Sequence, residues 1–238
     1  MVKSAGWLAG VAALAIGGDL ARAGVVVWFD PGPGGVTIPD GTGVGYADAR
    51  TVASPFPSVL DVRVRLQLAG AGGGMWNGDI YATLSYQSSP SAPVTAFSVL
   101  INRPGRDNGS PDEAFGYEDN GFDVSIGTTG PDIHRYRLST TPPVGGLVTG
   151  NWAADGRDID PFDVVNSTPR TAGMEGFHGV NPNGVWTLYV EDTEPMANAR
   201  LVRWGLEWTP VPEPPTTVAW GGAALALWAI ARRRRCAR

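Results

Sequence analysis

Carboxylates are the residues of this chain best suited to chemistry. Asp107, Asp112, Glu113, Glu118, Asp119 and Asp123 crowd one stretch, and Asp155, Asp158, Asp160 and Asp163 crowd another. Ca2+ takes about six to eight oxygen ligands, which Asp-rich, Gly-rich loops supply through side chains and main-chain carbonyls. Asp107, Asp112, Asp119 and Asp123 are therefore candidate Ca2+ ligands, and Ca2+ is the one cofactor the sequence admits. The pattern is not an EF-hand, because no stretch carries D-x-D-x-D-G with a Glu at the twelfth position. The competing and preferred reading is that these residues form Asx-turns and pair with Arg103, Arg106 and Arg157.

Histidine chemistry is poorly supported. Outside the carboxylates, only His134 and His178 could act as a base. A Ser-His-Asp enzyme needs that base within hydrogen-bond reach of a nucleophile, and no Gly-x-Ser-x-Gly elbow accompanies them. The chain also lacks His-Glu-x-x-His, a P-loop and a Gly-x-Gly-x-x-Gly after a strand. Gly70 to Gly74 lead into Met75-Trp76-Asn77 and read as a hairpin loop. No catalytic residue is assigned, and the chain is expected not to be an enzyme. Aromatic rings are a further option. Trp76, Trp152 and Phe177 lie in or beside loops, where a ring face can stack on a sugar or plug the end of a sandwich. Trp76 and Trp152 are the candidate ligand-binding residues.

The two chain ends carry a different kind of information. Lys3 precedes the apolar run Trp7 to Gly17, and Ala21-Arg22-Ala23 fits a small-x-small cleavage site between leader and body. At the other end, Pro210 to Pro215 reads PVPEPP, Val218 to Ala231 is apolar, and Arg232-Arg233-Arg234-Arg235 follow. A Pro-rich spacer, an apolar span and a guanidinium cluster make a tail that stops in a membrane with its end in the cytoplasm. The span of 14 residues is short against the roughly 20 that cross comfortably, which indicates temporary parking. The order Pro212-Glu213-Pro214, span, Arg cluster resembles the PEP-CTERM sorting signal of Gram-negative bacteria. That resemblance implies recognition by an inner-membrane exosortase, cleavage near Pro-Glu-Pro, and delivery to the cell surface or the extracellular matrix. An ordinary membrane anchor would explain the span and the arginines but not the Pro-Glu-Pro.

The expected division is a signal peptide over 1–23, a β-rich body over 24–209, a Pro-rich linker over 210–217, a short membrane helix over 218–231 and an Arg-rich tail over 232–238. The body must hold together without disulfides, since the only cysteine is Cys236. Of the 18 basic residues, Lys3 and Arg22 lie in the leader and five arginines in the tail. From Gly24 to Glu213 there remain 11 arginines, no lysine and 22 acids, a net charge of -11. Such a surface repels phosphate backbones, so nucleic acid is excluded as a partner. Divalent cations or neutral glycans fit it better.

Positioning falls to strands. Apolar runs between Gly, Pro, Asn and Asp turn signals, without helical periodicity, predict an all-β fold. In Leu60 to Leu68, residues Leu60, Val62, Val64, Leu66 and Leu68 share one face. Asp79 to Tyr86 alternates with Ile80, Ala82 and Leu84 inward, and Thr95 to Asn102 reads as a strand buried on both sides. Val25 to Phe29 is the expected first strand, and Val185 to Val190 and Leu201 to Trp208 are the last two. Arg103 to Asn120, Ser139 to Asp163 and Asn166 to Asn183 are expected to be long loops.

Several of these segments resemble the P domain (P/Homo B) of proprotein convertases and bacterial subtilases. They are Ile38-Pro39-Asp40, Val59 to Val64, Gly78-Asp79-Ile80, Phe177-His178-Gly179, Asn183 to Asp192, and Leu201 to Leu206. The resemblance covers residues 36 to 209 and implies a jelly-roll β-sandwich of galactose-binding-like type made of two antiparallel sheets. The chain departs from it in its long middle loops. The resulting expectation is an exported surface or matrix protein, structural or adhesive within exopolysaccharide. The alternatives are a lectin-like module and an accessory to a separate subtilisin-like protease.

Overall fold

A computed structural model of the chain describes residues 25–72, 74–108, 114–140 and 146–211. The leader with Ala21 and Ala23, Asp112, and everything from Pro212 onward, including Glu213, Pro214 and Arg232 to Arg235, lie outside the described residues. Among those described, no helix is long and apolar enough to cross a membrane.

The described residues form ten strands in chain order: β1 (Val25–Phe29), β2 (Val36–Thr37), β3 (Tyr46–Val52), β4 (Val59–Gly70), β5 (Ile80–Gln87), β6 (Ala96–Asn102), β7 (Phe122–Asp132), β8 (Val148–Ala153), β9 (Gly184–Asp192) and β10 (Ala199–Pro210). They build two sheets. One runs β1-β10-β4-β7-β8 with β2 beside β10, and the other runs β3-β9-β5-β6. Short 3-10 turns stand at Asn77–Asp79, Ile133–Leu138 and Met174–Phe177.

The alternating strands face each other across a single core. Val62, Val64, Leu66 and Leu68 of β4 and Trp204, Leu206 and Trp208 of β10 meet Ile80, Ala82 and Leu84 of β5 and Trp186, Leu188 and Val190 of β9. Burying one face of each sheet is what a sandwich requires. Trp186 is fixed by an indole N–H bond to the Pro182 carbonyl at 2.9 Å and by stacking on Phe177 at 5.4 Å.

Four expectations need correction. Leu60 is exposed rather than inward, because the β4–β10 register shifts at this point and Val59 turns into the core instead. The Gly70 to Gly74 run does not close a hairpin, since β4 and β5 lie in different sheets and the run carries the chain from one to the other. The sheets are not wholly antiparallel, because β8 pairs parallel to β7. β8 also lies inside the stretch Ser139 to Asp163, which therefore is not all loop.

β6 is an edge strand, yet it is nearly all buried. The segment that follows β8 covers it: Val99 N–H bonds Ala172 O, Gly156 N–H bonds Val99 O, and Asp155 N–H bonds Leu100 O. Covering an edge removes its capacity to pair with another chain.

Candidate functional site

One end of the sandwich gathers chain segments that are far apart in sequence. The β4–β5 crossover brings Trp76, the 3-10 turn after it brings Asp79, and the β9–β10 turn brings Glu194, Pro195, Met196 and Ala197. Phe115 comes from the connection between β6 and β7. Together they line a cavity of about 380 Å³, within the size range of small-ligand sites. Two glycines make this convergence possible. A Cβ at Gly78 would collide with the Phe115 carbonyl, and one at Gly41 would collide with Pro195.

The mouth is apolar at its rim. Trp76 is 42%, Phe115 54% and Met196 94% exposed. Phe162, also exposed, lies against the Arg103 guanidinium at 5.2 Å. The floor is ionic. Buried Arg103 donates from Nε to the Gly78 carbonyl at 3.0 Å, and its Nη2 lies 3.1 Å from Glu194 Oε1 and 3.7 Å from Asp79 Oδ1. Asp79 Oδ1 and Arg103 Nη2 are buried without an aligned hydrogen bond. Burial pushes the Asp79 carboxyl up to about 7; the Arg103 charge opposes this, while Asp192, Glu194 and Asp40 add to it. Burial likewise lowers the Arg103 guanidinium against the pull of Glu194 and Asp79.

The backbone is strained at the same place. Among the described residues, Arg103 (φ 44°) and Met196 (φ 105°) are the non-glycine residues with positive φ, and both belong to this end. A left-handed backbone with a side chain costs energy that surrounding structure must hold, and such strain gathers at binding sites. The β9–β10 turn is held by Met196 N–H to Asp40 Oδ2 at 3.1 Å, Ala199 N–H to Asp192 Oδ2 at 2.8 Å, and Thr193 N–H to the Asp79 carbonyl at 2.9 Å.

Of the residues singled out in the sequence, Trp76 is the one placed here. Trp152 is 4% exposed, its indole N–H bonds the Thr149 carbonyl at 3.0 Å, and its ring packs near Tyr136. It belongs to the core and cannot stack on a ligand. Phe177 is likewise buried against Trp186.

Among the described candidate Ca2+ residues, Asp107, Asp119 and Asp123 are not brought together. Asp119 accepts from Tyr136 Oη at 2.7 Å and Arg137 Nε at 2.9 Å. Asp107 accepts from Asn166 Nδ2 at 2.5 Å, a bond that lowers its carboxyl below the usual range. Asp123 is exposed on β7. Among the described residues, no three acidic, His or Cys side chains are arranged to hold a metal ion. Asp155, in the second acidic stretch, is buried against His134 and Arg157.

The histidines are also accounted for. His134 is buried, with Nδ1 3.1 Å from Asp155 Oδ2 and 2.9 Å from the Asn102 carbonyl, so this nitrogen carries a proton. His178 Nε2 lies 3.2 Å from Thr128 Oγ1 and 3.4 Å from Asp61 Oδ1. Hydroxyl and carboxylate thus meet the same ring nitrogen, and Thr128 itself donates to Asp61 at 3.0 Å. A triad needs them on opposite nitrogens.

Comparison with known proteins bears on the later half of this framework. Residues 132–208, from the 3-10 turn after β7 through most of β10, match the Proprotein convertase P-domain model. The P-domain is a β-sandwich module found in subtilisin-like proteases. The matched region contributes Glu194 to Ala197 to the mouth, while Trp76, Asp79 and Phe115 precede it. Among solved structures, the serine protease of Aeromonas sobria in complex with its chaperone is similar at 14% identity and a TM-score of 0.40, over 79% of this chain and 27% of that one. The same protease alone gives a TM-score of 0.39 at 14% identity, over 79% and 26%. The chain thus spans about a quarter of the length of that protease. No curated protein matches this chain by sequence.

Sequence reasoning missed Phe115, Glu194, Pro195 and Met196. The one local signal was a methionine at the tip of a turn between two strands. Nothing in the linear order places it beside Trp76.

Proposed function

We propose that this chain is an exported, non-enzymatic jelly-roll module that adheres to extracellular polysaccharide through the Trp76 mouth. One observation carries the reading: an exposed Trp76 and Phe115 flank a cavity floored by Asp79 and Glu194. Aromatic faces stack on the C–H face of a sugar ring, and carboxylates orient its hydroxyls through charge-assisted hydrogen bonds. The acidic, cysteine-free body suits a hydrated glycan partner better than nucleic acid.

Delivery follows from the tail. Exosortase recognises Pro212-Glu213-Pro214 while the span and Arg232 to Arg235 hold the chain transiently in the inner membrane. The body is then released to the surface or matrix. Intact mass spectrometry of the protein from its native host should show loss of everything beyond the Pro-Glu-Pro region; a mature chain still carrying Arg232 to Arg238 would overturn this route. For adhesion, the mature protein is passed over immobilised matrix polysaccharide from the same host. Wild type is retained and Trp76→Ala elutes with the void. Equal retention of the two would remove the mouth from the account.

The P-domain match supports a second reading, in which the module stabilises a separate subtilisin-like protease. Co-purification of a stoichiometric protease from the host, with no retention on polysaccharide, would favour it.

A further inference from the structure

The mouth has a charge pattern that a neutral sugar does not use. Among the described residues two carboxylates line it and no cation does, because Arg103 sits behind them. One guanidinium therefore faces both Asp79 and Glu194, and Asp40 and Asp192 add negative charge close by. Asp79 is 1% exposed and lines the cavity, and its Oδ1, 3.7 Å from Arg103 Nη2, accepts no hydrogen bond. A buried acceptor left in this state is costly, and a donor entering from the cavity would relieve it. Above the floor, exposed Trp76 and Phe115 line the opening, and aromatic ring faces attract cations. An acceptor floor under an aromatic rim is complementary to a positively charged donor rather than to a hydroxyl alone.

We infer that the mouth selects glycans carrying free ammonium groups, amino-sugar units whose nitrogen is not acylated. This rests on the reading of the mouth as a glycan site. The ammonium supplies three donors to Asp79 Oδ1 and Glu194, and the sugar ring stacks on Trp76. A basic peptide would offer the same charge. Extended peptides, however, draw affinity from main-chain pairing with an open edge, and the backbone of the 77–79 turn and of Thr193 is already engaged. Asn77 N–H bonds Asp119 O, Gly78 N–H bonds Tyr117 O, Asp79 N–H bonds Trp76 O, and Thr193 N–H bonds Asp79 O.

The test is calorimetric titration of the mature protein with three tetrasaccharides: β-1,4-linked glucosamine, its fully N-acetylated counterpart, and cellotetraose. The glucosamine tetramer is expected to bind about tenfold more tightly than the other two, a difference of about 1.4 kcal/mol. Glu194→Gln should remove most of that preference, weakening the glucosamine tetramer far more than cellotetraose. Equal affinity for all three tetramers would overturn the ammonium selectivity and leave the glycan reading standing. Binding of none of them, with binding of an oligolysine peptide, would overturn both. Glu194 is partly exposed, so its substitution keeps the fold, and an unaltered melting curve verifies this.

Discussion

Two of the buried charge clusters in this sandwich, those around Asp155 and Asp79, are completed differently. Around Asp155 every carboxylate oxygen is engaged. Its Oδ1 accepts from Arg157 Nη1 at 3.0 Å and its Oδ2 from Asn102 N and His134 Nδ1 at 3.0 and 3.1 Å. Asp132 accepts from Arg157 Nη2 at 2.8 Å and from His134 N at 3.0 Å. Although burial opposes it, Arg157 holds the Asp132 carboxyl below its ordinary value. Around Asp79 the balance reverses: burial prevails over Arg103, and Oδ1 has no hydrogen bond. The first cluster ties β6, β7 and the segment after β8 into one body. The second borders a cavity, strained backbone and exposed aromatics. The contrast lies in the carboxylates, since Arg157 Nε and Asn102 Oδ1 of the first cluster are also buried without a partner: bonded carboxylate oxygens mark a structural brace, while an unbonded one beside an opening marks a place where a ligand can act.

The sharpest way to break this contrast is Asp155→Ala. It leaves His134 buried without its acid and Arg157 with Asp132 alone, and should cost about 3–5 kcal/mol, read as a large fall in the melting midpoint. A midpoint that barely moves would mean that the brace is not one.

The next largest effect depends on pH. Asp192 is pushed up from 3.8 to about 7, mainly by burial, with Asp40 adding to the rise and the Ala199 N–H opposing it. A carboxyl raised in the folded state contributes stability that is fully present below about pH 4 and is lost as pH rises through about 7. Asp192→Asn retains an acceptor for Ala199 N–H. It should exceed wild type at pH 8 by roughly 1–4 kcal/mol, because each tenfold change in proton affinity is worth about 1.4 kcal/mol, and the gain should vanish toward pH 4. A gain that is the same at both pH values would contradict the assignment. Asp132, lowered in the folded state, acts in the opposite sense: its contribution is present above its unfolded value and is lost as pH falls.

A smaller gain is expected from Met196→Gly, which relieves a side chain at φ 105°. About 0.5–1.5 kcal/mol should appear in denaturant melts. The smallest effect on stability belongs to Trp76→Ala, below about 0.5 kcal/mol for an exposed side chain, even though polysaccharide retention is lost. A substantial destabilisation would place Trp76 among the supports of the fold.

Much of the frame was legible in the sequence because apolar alternation encodes it. β1 coincides with Val25 to Phe29, and β4, β5, β9 and β10 differ from expectation chiefly at their ends. β3 was hidden because one of its inward positions is Asp48, which takes the Trp204 indole N–H at 2.7 Å and so replaces the apolar residue that alternation would show. β7 carries a readable Phe122, Val124, Ile126 pattern within a polar stretch. β8 pairs parallel to β7 through Val148 to Ala153, a run too mixed in polarity to stand out. The site was legible only at Trp76. Phe115 and Glu194 to Met196 reach it through tertiary convergence, and Trp152 was misplaced because a loop position in sequence does not report burial. In the acidic stretches, nearness along the chain resolves into individual bonds to Tyr136, Arg137, Asn166 and Arg157, in keeping with the preferred reading of paired side chains.

The most direct test of the contrast between the two clusters is chemical-shift mapping on the isotope-labelled mature protein, titrated with oligosaccharides released from the host matrix. Perturbed resonances should gather at Trp76, Asp79, Phe115 and Glu194 to Ala197, with the amides around His134 and Asp155 unmoved. Perturbations confined to the outer face of the six-stranded sheet, or none at saturating oligosaccharide, would contradict the account.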